Sequence, residues 1–339
     1  MAAEIQWGIL GNATIARKCV IGAIQKSRNG TVRALASQNP AKARETQVRH
    51  GIPVLYERYG AVLEDPDVTA VYIPLPNHLH HPWTLKALAA GKHVLCEKPL
   101  ACGTREAREM VAAARKADRF LMEAFMYRFH PRSKRIKTLV DQGQIGTPRI
   151  IRAAFCYPMA RDLLESGDNA RLKTEMGGGA LLDVGCYGVS LARWLMNAEP
   201  VRVQAQASYH PGGVDWHMIG TLAFGPRRLA VIEASFITAL QQTYSVVGAR
   251  GAIDLPHDAF IPWEKDAVFT HRRQDEETGT RHCIEGADEY QLMVEHFADV
   301  VRGEDQAAYS PQESIANMRA LEALARAASN GEPVTVEND

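Results

Sequence analysis

Apolar residues in the first third of the chain fall into short, nearly continuous runs at 5–10, 32–37, 70–74, 93–96 and 120–122. Runs of this length read as strands buried on both faces, which is the condition of strands in a parallel sheet. Between them, 14–26, 41–50, 81–90 and 104–117 read as helices. Strand and helix therefore alternate in βαβ fashion, predicting a parallel sheet with helices on both faces. After about residue 124 the pattern changes. A strand at 149–157 and a long helix at 178–196 precede runs at 201–209, 217–224, 228–236, 242–248 and 266–271. Turn signals such as Pro211-Gly212-Gly213 and Gly225-Pro226 separate several of these runs. This predicts an α+β domain with a mostly antiparallel open sheet backed by a helix. A last helix at 311–330 has the option of packing back on the first domain.

The length of 339 residues suits two domains, taken as 1–123 and 124–339. Lys plus Arg number 39, as do Asp plus Glu, so no global charge draws the chain to nucleic acid or an anionic membrane. No apolar run approaches the roughly 20 residues that span a bilayer. The start Met1-Ala2-Ala3-Glu4-Ile5 shows no basic segment followed by an apolar one, so no export signal is expected. Six Cys are scattered without a CxxC pair, the pattern of reduced thiols in the cytoplasm. His78, His80 and His81 lie close together but lack Cys or acidic partners at ligand spacing, so no metal site is expected.

The first strand ends in Gly11-Asn12-Ala13-Thr14-Ile15-Ala16. On the dinucleotide fingerprint G-x-G-x-x-G/A, Gly11 keeps the tight turn, Ala13 replaces the second Gly and Ala16 is an allowed third residue. The helix N-terminal amides that follow would hold a diphosphate. At the end of the second strand, Ala36-Ser37-Gln38-Asn39-Pro40-Ala41-Lys42 lacks the acid that binds a ribose 2′-hydroxyl in NAD-specific sites. Ser37, Gln38, the next helix N-terminus and Lys42 would instead receive a 2′-phosphate, which favours NADP over NAD. Gln38 carries no charge, so NAD stays open.

Lys98, in Glu97-Lys98-Pro99, follows a buried strand at its carboxyl end, where open α/β sheets bind ligands. Its ammonium would point toward the reactive end of a bound dinucleotide. In the second domain, Gly177-Gly178-Gly179 opens a helix on which Asp183 and Tyr187 stand at i and i+4 on one face. A cation within ~4–6 Å favours an ionised phenol by about 1–3 pKa units, enough to make such a Tyr a proton exchanger. Arg128, His130, Asn169 and Arg171 are candidate substrate contacts.

The nucleotide turn, Glu97-Lys98-Pro99 and Asp183-Val184-Gly185-Cys186-Tyr187 together resemble the glucose–fructose oxidoreductase / inositol dehydrogenase / rhizopine catabolism (Gfo/Idh/MocA) family over about residues 5–330. Tyr187, where many members have His, is similar to the branch with NADP-dependent D-xylose 1-dehydrogenases, dihydrodiol dehydrogenases and glucose–fructose oxidoreductase. So are 122–131 and Asn169-Ala170-Arg171-Leu172. The segment 14–24 also resembles 1,5-anhydrofructose and 3-ketosugar reductases. Ala13 and Gln38 depart from the pattern.

The resemblance implies a Rossmann-type first domain, a substrate-binding and oligomerising second domain, and an active site in the cleft between them. It implies that Lys98 contacts the nicotinamide ribose and the reacting oxygen, that Tyr187 is the acid/base, and that Asp183 orients them. Pro74, Leu75, Asn77 and His80 would line the nicotinamide side of the groove, next to Glu97 and Pro99. The implied reaction is hydride transfer between nicotinamide and a carbon of a sugar, sugar derivative or cyclic diol. A ketosugar reductase and a non-catalytic NAD(P)-binding sensor are the alternatives. A homodimer or homotetramer through the second-domain sheet is the implied assembly.

Overall fold

The computed structural model describes residues 4–337. The first elements are β1 (Ile5–Leu10), α1 (Ile21–Lys26), β2 (Gly30–Ala36), α2 (Pro40–His50), β3 (Val54–Tyr56), α3 (Tyr59–Glu64) and β4 (Ala70–Ile73). Next come α4 (His80–Ala89), β5 (His93–Cys96), α5 (Thr104–Ala117), β6 (Leu121–Glu123), α6 (Pro131–Asp141), β7 (Pro148–Cys156) and α7 (Arg161–Ser166). Then follow α8 (Cys186–Met196), β8 (Arg202–Tyr209), β9 (Asp215–Ala223), β10 (Leu229–Ser235) and β11 (Gln241–Gly248). The chain closes with β12 (Gly251–Leu255), β13 (Ala267–Arg273), β14 (Thr280–Ile284), α9 (Glu289–Val301), α10 (Pro311–Asn330) and β15 (Val334–Thr335).

Two compact units form. One holds the residues up to Phe129 together with Asp288–Ile315; the other holds His130–Ala287 and the residues from Ala316 on. In the first, six parallel strands lie in the order β3-β2-β1-β4-β5-β6. β4 is buried along its whole length, as its unbroken apolar run requires. α5 shows the amphipathic rule plainly, burying Ala107, Met110, Val111 and Ala114 at spacings of three, one and three. Strand order reverses between β1 and β4, so the ends of these strands, Gly11 and Pro74, flank the switch point where such sheets bind ligands. The short β3 and α3 went unread in the sequence.

α9 also belongs to this unit and was not foreseen. Asp288 caps it by accepting from Tyr290 N and Gln291 N. Phe297 packs at a tilt against Trp7 and Phe120 at centroid distances of 4.9 and 5.1 Å. Of α10, the helix with the option of returning to the first unit, only the first turn up to Ile315 groups there. Further along, Leu324 lies over Gly220 of β9, within the second unit.

The second unit is built on nine strands in the order β14-β13-β12-β11-β7-β10-β9-β8-β15. β7 and β10 run parallel, and every other neighbouring pair is antiparallel. Burial alternates along β10, with Ala230, Ile232 and Ala234 on the covered face. α8 sits on that face. A Cβ at Gly188 would lie 2.9 Å from Ile232 Cγ2, so glycine is what lets the helix approach so closely.

Candidate active site

In the parallel-sheet unit the polypeptide turns at the end of β1 through Gly11, whose φ is +117° and whose N–H donates to Ala36 O. A Cβ there would stand 2.8 Å from the Leu75 side chain, so the residue must be glycine for both reasons. Both polar atoms of the Asn12 side chain are buried without a partner. The chain is helical from Thr14, so the N–H groups of the first turn have no intrahelical acceptor. An orphaned amide, a tight glycine turn and a helix N-terminus together fit a diphosphate. The helix then widens into a π-turn over Ala16–Val20.

At the end of β2, Ser37 is buried and its hydroxyl turns back on Asn39, accepting from Asn39 N at 3.1 Å. Asn39 caps α2 by accepting from Lys42 N. Gln38 and the Lys42 side chain are exposed beside that cap.

Lys98 follows β5 in a turn pinned from several sides. The buried Glu97 carboxylate accepts from the Tyr72 hydroxyl at 2.6 Å and from Lys98 N at 3.2 Å. Leu100 N donates to Glu123 Oε1. The Lys98–Pro99 peptide is cis. Pro74 and Leu75 are buried, and Asn77 is half-buried in a short helical turn.

His80 departs from the expectation that it lines the cofactor groove. It is fully buried, with Nδ1 2.8 Å from Pro99 O and Nε2 2.7 Å from Leu75 O. Burial pushes its pKa down to about 4, so the ring is neutral and its single N–H donates to one of the two carbonyls while the ring sits wedged between both loops. Its wall is made of backbone, so it offers a ligand nothing to bind.

In the second unit, Asp183 lies in a π-turn, Leu181–Gly185, that leads directly into α8 and Tyr187. Wider turns of this kind recur at functional sites. Asp183 Oδ2 accepts from the Tyr157 hydroxyl at 2.9 Å and from Arg171 Nε at 2.8 Å. Tyr187 is buried to 4% exposure, its ring against Phe155 and Phe260 at 5.2 and 5.4 Å.

The glycine run that opens this helix has a steric reason. A Cβ at Gly178 would meet Arg171 O at 2.5 Å, and Gly179 N donates to that same carbonyl. The glycines let the Arg171 loop lie against the helix entry, which delivers the guanidinium to Asp183. Asn169 holds the loop by accepting from Arg171 N. Gly179 has φ +115°, and Asp215 fills the space its side chain would need while accepting from Leu181 N at 2.7 Å. Burial pushes the Asp215 carboxyl up to about 7, against the backbone N–H groups it accepts from.

Arg128 has internal partners, and His130 has one on Nδ1 while its Nε2 is buried without a partner. Arg128 Nη1 contacts Glu313 Oε2 at 2.9 Å, and the guanidinium lies over the Tyr309 ring. His130 is buried and caps α6 by accepting from Arg132 N. Tyr157 was missed in the sequence. Its signal was the one that marked Lys98, a polar residue ending an apolar strand. The strand's neighbours put this end beside the end of the parallel β10.

Residues 5–125 match the oxidoreductase family with an NAD-binding Rossmann fold, and residues 133–254 match the GFO/IDH/MocA C-terminal domain. A D-xylose 1-dehydrogenase (NADP+) from Haloferax volcanii is 35% identical over 98% of this chain and 100% of its own. A trans-1,2-dihydrobenzene-1,2-diol dehydrogenase from Xenopus laevis is 35% identical over 79% of both chains. Among solved structures, a 3-ketoreductase from Actinomadura kijaniata in complex with NADP and TDP-benzene superposes with a TM-score of 0.87 at 29% identity, covering 96% of this chain and 98% of that one. The two-unit fold, the dinucleotide turn and these matches over nearly the whole length make the chain a member of the GFO/IDH/MocA oxidoreductase family, an NAD(P)-dependent enzyme.

Proposed function

We propose that the enzyme oxidises a CH–OH group of a sugar, sugar derivative or cyclic diol, with NADP as the preferred cofactor. The observation that carries this reading is the placement of Lys98 at the carboxyl end of β5 in a turn held by Glu97, Tyr72 and His80. A bound nicotinamide supplies the hydride chemistry. Gly11, Asn12, Ala13, Thr14 and Ile15 hold its diphosphate. Ser37, Gln38 and Lys42 surround the adenosine 2′-position. Pro74, Leu75, Asn77, Glu97 and Pro99 form the wall toward the nicotinamide.

Lys98, in the first unit, is assigned to the reactive end of the cofactor, and Tyr187, in the second, to proton exchange. Asp183 accepts from a substrate hydroxyl and orients it, with Arg171 and Asn169 bounding the same pocket. The six cysteines, all free, suit a reducing cytoplasm. Among the described residues no helix is long and apolar enough to cross a membrane. The uncovered face of the nine-stranded sheet, with Ile219 and Leu229 exposed at 45% and 50%, pairs with a second copy to give a homodimer or homotetramer.

Reduced-nicotinamide absorbance with D-xylose, D-glucose and a cyclic vicinal diol, each with NADP+ and NAD+, tests the reading. Lys98→Met and Tyr187→Phe should each lower kcat/KM by about two orders of magnitude or more. Activity within threefold of wild type removes that residue from the mechanism. Turnover in the reverse direction, on ketosugars, is the second reading. It is favoured by similarity to a dTDP-3,4-didehydro-2,6-dideoxy-alpha-D-glucose 3-reductase from Streptomyces violaceoruber, 34% identical over 89% of this chain. Tight cofactor binding without turnover of any substrate in either direction would mark a sensor instead.

A further inference from the structure

Asp183 carries two donors of different kind on one oxygen. Arg171 brings a positive charge from a half-exposed loop position, its side chain 50% accessible. Tyr157 brings a neutral hydroxyl from a rigid one. It directly follows β7, its N–H donates to Ser235 O at the end of β10, and its ring lies 5.3 Å from Phe236. Two residues on, Met159 N donates to Phe236 O, so the strand-end segment is laced to its neighbour on both sides of the tyrosine.

We propose that Tyr157 is a positioning residue of the reaction, whose hydroxyl fixes the rotamer of the Asp183 carboxylate one helical turn before Tyr187. The inference rests on the hydride-transfer reading of Asp183 and Tyr187 given above. An aspartate side chain has more than one staggered rotamer open to it, and the contacts around it select among them. Arg171 alone would follow a change of rotamer, since its own side chain is long and half in solvent. A phenol on a two-torsion side chain, anchored at the end of a parallel strand pair, does not move with it. The carboxylate oxygen held by Tyr157 and Arg171 is thereby turned away from exchange, and the group serves as a fixed anionic acceptor for a substrate hydroxyl. Burial, and then the Asp183 charge, push the Tyr157 phenol well above its usual range. It therefore stays a donor across the working pH, which divides the labour between the two tyrosines: Tyr157 holds, and Tyr187 exchanges.

Tyr157→Phe removes the hydroxyl and keeps the ring on Phe236. In the full-length enzyme with NADP+ and D-xylose or the cyclic diol, whichever wild type turns over faster, kcat should fall about 10- to 100-fold. Cofactor affinity, read by fluorescence titration, should change less than about twofold. The decisive comparison is a double-mutant cycle with Asp183→Asn. If the hydroxyl acts through the carboxylate, Tyr157→Phe should cost less than about threefold more in the Asp183→Asn background. Additive losses, or a Tyr157→Phe enzyme with wild-type kcat beside a crippled Asp183→Asn enzyme, overturn the proposal and leave the assignment of Asp183 standing. An Asp183→Asn enzyme with wild-type kcat overturns both.

Discussion

Lys42 illustrates how far a single residue can be read. Its backbone N–H caps α2 through Asn39, while its side chain stands exposed beside Gln38 at the end of β2. If it meets a 2′-phosphate, Lys42→Ala should raise KM for NADP by about tenfold, the scale of a hydrogen bond to a charged group, and leave KM for NAD nearly unchanged. Initial-rate kinetics with both cofactors check this; equal effects place the ammonium elsewhere. Titratable residues offer a second test. Burial pushes His80, His93 and His130 each down to about 4. The folded state then binds these protons less readily than the unfolded chain, whose imidazoles titrate near 6.5. Stability from these histidines is present above pH 6.5 and is lost as pH falls toward 4. Thermal midpoints measured from pH 7.5 to 4 should fall most steeply in that window, and His130→Asn, which keeps a capping acceptor, should make the fall shallower. At this scale the sequence revealed residue types at strand ends and helix faces. It could not reveal that His80 is wedged between two carbonyls, because neighbours five and nineteen residues away depend on how two loops are folded together.

Helix α8 and its approach show the same division one level up. Apolar spacing from Leu181 onward was enough to predict a helix bearing Asp183 and Tyr187. The π-turn, the Asp215 cap and the depth of packing were not, since each depends on contacts with β9, β10 and the Arg171 loop. These contacts make the element sensitive to small changes. Gly188→Val places a methyl pair against Ile232 and should cost about 1–3 kcal/mol by overpacking. Thermal or urea unfolding measures that loss directly. Short elements escaped the sequence for a related reason. β3 is three residues long and β15 two, too few for any period to register. α9 is different: its apolar positions are ample, yet its docking on α1 is a long-range event that nothing in its own spacing announces.

The whole molecule carries one further prediction, on the uncovered face of the nine-stranded sheet. Along β9 and β10, Ile219 and Glu233 are register neighbours, and Leu229 pairs with Ala223, so the face mixes apolar and charged positions. Ile219→Glu with Leu229→Glu should shift the protein to monomer if this face joins two copies. Sedimentation velocity distinguishes the outcomes, and an unchanged assembly sends the interface elsewhere. By itself the chain determined two folding regimes, a parallel sheet first and an antiparallel one after, because burial on two faces or one dictates continuous or alternating apolar patterns. It also marked side chains at strand ends and helix faces, Lys98, Asp183 and Tyr187 among them, as candidates for proton chemistry beside a nicotinamide cofactor. Tertiary structure alone decided that α9, far along the chain, completes the first unit, that the glycine run exists to admit Arg171, and that a second tyrosine shares the Asp183 carboxylate. Local pattern records what each segment must bury; it holds no record of which distant segment will do the burying.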